Sequence, residues 1–212
     1  ARSLAGLVAA AGGEVRTGVQ AGRATTTAEG WLIDTPNGPI RSRFLVGCAG
    51  LHADRVARRS GARPDARILP FRGEYLDVTG PSADLVRGLV YPVPDPRFPF
   101  LGVHLTRNLD GGVHAGPNAV LALAREGYNW SDISLRDMAS TLVWPGTARL
   151  LRRYWRPGLD EMFRSLSRHR FMTAARLLVP GLDAADVRRA PAGVRAQAVD
   201  RGGTLLDDFH LL

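Results

Sequence analysis

The chain contains a single cysteine, Cys48, and no lysine. A lone thiol excludes an intrachain disulfide and a cysteine-built zinc site, and it suits a reducing cytoplasm. No apolar run approaches the roughly 20 residues that a membrane-spanning helix needs. The opening ARSLAGLVAAAGGEV puts one Arg before a short apolar stretch, which reads as an ordinary helix and not as a signal peptide. Internal repeats and low-complexity tracts are also absent. What is present, 45% apolar and 23% charged residues over 212 positions, matches a globular protein and argues against disorder. A chain of this length hides roughly 70% of the surface its unfolded form exposes, so core size is no obstacle.

Because every basic residue is Arg, the formal charge of +8 is carried entirely by guanidinium groups. It is unevenly placed: residues 144–176 hold eight Arg against Asp160 and Glu161, a surplus of six. This stretch carries none of the fold motifs of nucleic-acid binders, so no nucleic-acid partner is expected. A solvated helix face, a homo-oligomer contact or a peripheral membrane contact fits better.

The first half alternates elements. A small-residue helix over 2–11 is closed by Gly12-Gly13. Strands are predicted over 14–17, 21–27 and 30–35, with Asn37-Gly38 as a hairpin turn before a buried strand over 40–47. Cys48-Ala49-Gly50 then turns the chain into a helix over 52–60, an α/β pattern. From Ile68 the character becomes antiparallel, with strands over 67–78, 88–93, 100–106 and 112–116 broken by Pro, Gly and Asp. Ser134 with Asp137 three residues on resembles a capping box. Helices follow over 134–143, 148–156, 159–167 and 170–179, with Pro145 and Pro157 bracketing the second. Two strands, 193–199 and 204–209, flank the turn Asp200-Arg201-Gly202-Gly203. The fold class is therefore mixed, α/β at the start and α+β after it.

Four strings carry more than pattern: LPFRGEY at 69–75, YPVPDPRFPFLGVHLTR at 91–107, GGVHAGPNAVLALAREGY at 111–128 and GVRAQAVD at 193–200. They resemble the FAD-dependent L-2-hydroxyglutarate oxidases and dehydrogenases, a branch of the D-amino-acid-oxidase-like flavoproteins. RFLVGCAGLHADRVA at 43–57 is similar to the closing strand and turn of that family's FAD domain. The resemblance implies a fragment of a two-domain flavoprotein. Residues 1–62 would be part of a Rossmann-like FAD-binding domain, 63–187 an antiparallel-sheet substrate domain with helices, and 188–212 the strands returning to the FAD domain. The family's G-x-G-x-x-G loop, whose backbone N–H groups hold the FAD pyrophosphate, has no counterpart here. Both ends are expected to be cut, FAD to bind weakly or not at all to this chain, and the fragment to be inactive by itself.

The same resemblance assigns site residues. Arg195 in Gly193-Val194-Arg195 would pair with the substrate carboxylate, for which a planar, permanently charged guanidinium is suited; the bland alternative is a surface Arg. His104 is, on its chemistry, the candidate to take the hydroxyl proton as hydride leaves Cα, work that suits imidazole; the bland alternative is a structural strand His hydrogen-bonded to backbone. His114 is its rival, while His52, His169 and His210 read as ordinary. Asn118 would contact substrate or flavin, unless it is only a turn residue after Pro117. Arg72 and Glu74 share a strand face; an internal ion pair competes with a role for Arg72 in substrate binding. Tyr91 and Arg107 would line the pocket. Gly50, with Cys48, Ala49 and Ala21, would approach the dinucleotide, Cys48 being expected as a buried small residue and not a redox thiol. No metal site is expected.

The implied function is FAD-dependent oxidation of a 2-hydroxy acid, L-2-hydroxyglutarate to 2-oxoglutarate, with oxygen or a quinone as electron acceptor. Two alternatives stand beside it. One is an amine or amino-acid oxidase of the same fold; the other is a non-catalytic module binding an acidic partner through the Arg-rich helices. The expected location is the cytoplasm or the inner membrane face.

Overall fold

A computed structural model describes residues 1–93 and 102–210. Phe100 and Leu101, part of the strand expected over 100–106, lie outside the described residues. The chain divides into two compact units, the first formed by Ala1–Ala49 and Arg55–Pro64, the second by Gly50–Asp54 and the chain from Asp65 onward.

The first unit is small. Helix α1 (Arg2–Ala10) precedes a three-stranded antiparallel sheet of β1 (Ala24–Thr27), β2 (Gly30–Ile33) and β3 (Ile40–Ser42). Register runs from Ala24 opposite Ile33 and from Trp31 opposite Ser42, so the turn expected at Asn37-Gly38 does reverse the chain. Gly30 is required here, with φ +133 and Ser42 O only 2.3 Å from where a Cβ would stand. No strand forms over 14–17. The buried strand expected over 40–47 ends at Ser42, and Phe44 and Val46 are both 82% exposed. Cys48 is exposed too, correcting the buried placement. Apolar content alone does not bury a strand; it needs a ladder neighbour on at least one side, and none reaches 44–48 among the described residues. Helix α2 (Ala53–Arg59) completes the N-terminal elements after a 3-10 turn at Gly50–His52.

The second unit is organised by β4 (Ala66–Val78), buried along most of its 13 residues. On one side it pairs with β9 (Val187–Asp200) from Ala66 opposite Asp200 to Val78 opposite Val187. On the other it pairs with β7 (Val113–Gly116) and, further along, β8 (Val120–Leu121). Beyond β7 lie β6 (His104–Arg107) and β5 (Leu89–Val90), all antiparallel. β9 therefore forms a single long strand where a shorter strand in a hairpin was expected, and 204–209 contributes only a bridge from Leu205 to Val199.

Alternation along β4 sorts the side chains. Leu76 and Val78 meet Leu105, Val113, Ala115 and Val187, and helix α6 (Arg168–Leu178) covers them with Phe171, Met172 and Ala175. Leu69 and Phe71, on the opposite face, pack with Leu150 of α5 (Pro145–Leu166) and Val199. Helix α3 (Gly80–Asp84) lies between β4 and β5, and α4 (Leu135–Leu142) starts at Ser134, whose hydroxyl accepts from the Asp137 N–H as expected. The two helices expected on either side of Pro157 are one element, kinked at Tyr154 (φ −118, ψ 24). Proline removes one ladder N–H and crowds the carbonyl four residues back, at Arg153, so the distortion falls in the preceding turn.

Candidate active site

His104 opens β6 directly opposite Gly116 of β7, and Thr106 stands opposite His114, which in turn faces Asp77 of β4. Directly opposed residues share a sheet face, so His104, Thr106, His114 and Asp77 all point one way, together with Tyr75 and Phe71 by alternation. The register of β9 shifts near Gly73, where β9 takes three steps (Gly193 to Ala190) while β4 takes two. The extra residue is on β9, so β4 keeps its alternation. Arg195, opposite Phe71, therefore belongs to the same face as His104.

Local contacts hold His104. Its Nδ1 lies 3.1 Å from the Gly102 carbonyl, and its ring stacks on Tyr91 with centroids 4.5 Å apart at 26°. Burial pushes the imidazole below its ordinary value; the Gly102 carbonyl opposes this, and the Arg195 guanidinium adds to the lowering. Tyr91 is 45% exposed, so this part of the face is open. The geometry thus offers a half-buried imidazole stacked on an aromatic ring, with the exposed Arg195 on the same sheet face.

The other expected residues are placed differently. His114 shares the face but its Nδ1 stands 2.5 Å from Asp77 Oδ1, an ion pair whenever the ring is protonated, with Tyr75 edge-on to it. Arg107 turns toward the core side, its Nη1 donating to the carbonyls of Ala83 (3.3 Å) and Val86 (3.1 Å). Arg72 and Glu74 point to the face opposite His104. The Arg72 guanidinium is 1% exposed, lies 4.1 Å from the Trp130 ring and 3.5 Å from Glu74, and leaves Nε and Nη2 without hydrogen-bond partners. Glu74 also receives the Trp130 indole N–H at 2.8 Å and the Ser165 hydroxyl. Asn118 is buried; its Oδ1 accepts the Glu74 N–H at 2.7 Å, and its amide lies 3.4 Å from Glu74 Oε2. Of the expected substrate set, His104 and Arg195 share a sheet face and Tyr91 stacks on His104, whereas Arg72 and Arg107 point to the other face and Asn118 is buried against Glu74.

For the dinucleotide, Gly50 has φ +49 and nothing within 4 Å of where a Cβ would stand, so its backbone is approachable by a ligand. Ala21 and Cys48 are exposed, and Ala49 half-buried. The open space at Gly50 fits the close backbone approach that a dinucleotide would need there. Among the described residues no cluster suited to a metal ion occurs.

Sequence reading missed one arrangement. Arg125 reaches Asp54 through two guanidinium contacts, one at 2.8 Å, and also donates to the Leu51 carbonyl; both side chains are buried. Beside it, His52 Nε2 meets Glu126 at 3.0 Å. Two consecutive residues thereby hold the turn that follows Gly50. A separation of 71 positions gives no local signal of such a pair.

Comparisons with known proteins agree in direction. A family model described as FAD dependent oxidoreductase matches residues 1–210. L-2-hydroxyglutarate dehydrogenase of Indibacter alkaliphilus is 46% identical over 199 residues, covering 93% of this chain and 50% of that protein. The Salmonella houtenae protein of that name is 43% identical over 99% of this chain and 50% of its own length. The mitochondrial enzyme of Homo sapiens is 44% identical over 84% of this chain and 38% of its own length. The chain thus spans half or less of these curated relatives. Among solved structures, glycine oxidase from Geobacillus kaustophilus superposes with a TM-score of 0.53 at 16% identity, covering 96% of this chain and 42% of that one. The FAD-bound L-α-glycerophosphate oxidase from Mycoplasma pneumoniae gives 0.54 at 19% identity, covering 85% and 39%. At such identities these two show a shared fold.

Proposed function

The chain belongs to the FAD-dependent oxidoreductase family, and from that premise we propose that it carries the substrate side of an enzyme oxidising L-2-hydroxyglutarate to 2-oxoglutarate. The observation that carries this reading is the placement of His104 and Arg195 on one face of the antiparallel sheet, with the exposed Tyr91 stacked on His104. Relatives named for that substrate, at 43–49% identity, support the choice of a 2-hydroxy acid over an amine. In this reading residues 1–62 are part of the FAD-binding domain, 63–187 the substrate domain and 188–212 the segment returning from it. Ala21, Cys48, Ala49 and Gly50 would hold part of FAD, which when bound supplies the hydride acceptor.

The chain's own residues do the rest. Arg195 pairs with the carboxylate beside the reacting carbon and so orients its hydrogen. His104, kept neutral by its surroundings, accepts the hydroxyl proton as the carbonyl forms. Tyr91 keeps the imidazole plane in place by stacking. Arg72, Asn118 and Arg107, on the contacts seen here, act behind the site by holding strands and helix ends. The dicarboxylate is the proposed substrate, oxygen or a quinone the acceptor, and the cytoplasm or inner membrane face the location.

The test is anaerobic flavin reduction in the full-length polypeptide. L-2-Hydroxyglutarate should bleach the flavin, while glycine and sarcosine should not. Bleaching by the amines and not by the hydroxy acid would replace this reading with the amine-oxidase one.

A further inference from the structure

The five residues Gly50–Asp54 part from their neighbours in sequence. Residues 1–49 and 55–64 form the first unit, whereas 50–54 belong to the second. Their 3-10 turn, Gly50–His52, lies against β4 and β9. Arg125 holds them there. Its guanidinium, 2% exposed, forks onto the Asp54 carboxylate, 5% exposed, with Nη2 donating to Oδ2 at 2.8 Å. Nη1 donates to the Leu51 carbonyl as well.

Arg125 is itself fixed from behind. Its backbone N–H donates to Asp137 Oδ2 at 2.9 Å, and the Ser134 N–H donates to the Leu123 carbonyl at 3.1 Å. Four residues before Arg125, Leu121 of β8 stands opposite Phe71 of β4, whose other neighbour is Arg195 of β9. A short path of ladder and side-chain contacts thus runs from the strand of Arg195 to the turn at Gly50. Stability alone does not account for the buried pair, since apolar residues of similar volume often replace such pairs without loss. A bidentate fork adds fixed geometry.

Resting on the reading of Gly50 as part of the FAD wall, we infer that Arg125 is a positioning residue. It latches the turn that meets the dinucleotide to the sheet that carries Arg195, and so sets where cofactor stands relative to substrate. The open side of Gly50 admits a ligand, and the latch decides where that side stands. Hydride transfer needs its reacting atoms within a narrow range of distance and direction, and a shift of about 1 Å costs about 10²-fold in rate. A loosened latch therefore slows the chemical step more than it weakens the binding of either ligand.

The experiment uses the full-length polypeptide with Asp54→Leu and Arg125→Met together, which removes the latch without stranding a buried charge. Three quantities are read: FAD affinity by fluorescence titration, flavin reduction by stopped flow at saturating FAD, and thermal melting. The double variant should melt close to wild type and bind FAD about tenfold more weakly, because ordering the turn then falls to the ligand. Its flavin should be reduced about 10²-fold more slowly at saturating L-2-hydroxyglutarate. The concentration giving half the maximal rate should stay near the wild-type value, because Arg195 is untouched. Arg125→Lys keeps the charge but not the fork and should fall between the two. It carries the same measurements if the double variant does not fold. Wild-type FAD affinity and reduction rate in both variants would overturn the inference. So would a raised half-maximal concentration at an unchanged maximal rate, which assigns Arg125 to substrate binding. A wild type that binds FAD but is not reduced by L-2-hydroxyglutarate would count against the proposed substrate alone, and the FAD affinities would then decide the latch.

Discussion

At the scale of single residues the proposed site turns on what surrounds one imidazole. Because the fold holds the His104 pKa below the ordinary 6.5, the neutral, proton-accepting form persists to lower pH than for a free histidine. The acidic limb of the kcat/KM profile in the full-length enzyme should therefore lie below that value, with activity lost only as pH falls through it. His104→Ala should remove the limb and lower kcat by about 10²–10⁴. A limb that survives the substitution would shift the role to His114. Arg195→Ala should act chiefly on kcat/KM, losing about 2–5 kcal/mol of carboxylate recognition. The Asp54–Arg125 pair sets a different expectation. Asp54→Ala strands a buried guanidinium, and breaking such pairs costs about 3–5 kcal/mol. Urea unfolding should show that loss as a lower midpoint with the slope retained. A loss under 1 kcal/mol would mean that water or another acceptor replaces the carboxylate.

At the scale of elements, the junction between α5 and β9 is the most sensitive. The Trp144 indole N–H donates to the Val199 carbonyl at 3.0 Å, and a Cβ on Gly146 would stand 1.9 Å from the Asp200 carbonyl. This close approach lets Leu150 reach the cluster of Leu69, Phe71 and Val199. Gly146→Ala must push the helix off the strand, an overpacking cost of about 1–3 kcal/mol, which lowers Tm by roughly 2–4 °C per kcal/mol in a chain of this size. An unchanged Tm would show that the helix start shifts freely. Element order was largely legible from Gly, Pro and alternation, including the Ser134 cap and the Asn37-Gly38 reversal. Element ends were not, because they depend on neighbours: β9 runs to 14 residues since β4 offers a partner along its whole length, and β3 stops at three residues since nothing pairs beyond it.

For the whole molecule, cofactor affinity is the measurable consequence of what these 212 residues contain. There is no G-x-G-x-x-G run in them, so the pyrophosphate lacks the backbone N–H cluster that normally anchors it. The purified 212-residue chain should carry no stoichiometric flavin absorbance, and titrated FAD should bind weakly. A tightly held flavin would mean that another element takes the pyrophosphate. The family was legible from sequence alone, since strings such as FRGEY, FLGVH and GVRAQ are covalent facts that survive any packing. Which of those residues meet was decided only by tertiary structure. Arg72 and His104 sit in neighbouring motifs of similar appearance, yet strand alternation sends the guanidinium to the side under Trp130 and the imidazole to the face that Arg195 shares. An extra residue in β9 near Gly193 offsets its register against β4, and the pairing beyond that offset sets Arg195 opposite Phe71, a step of one position separating two sheet faces.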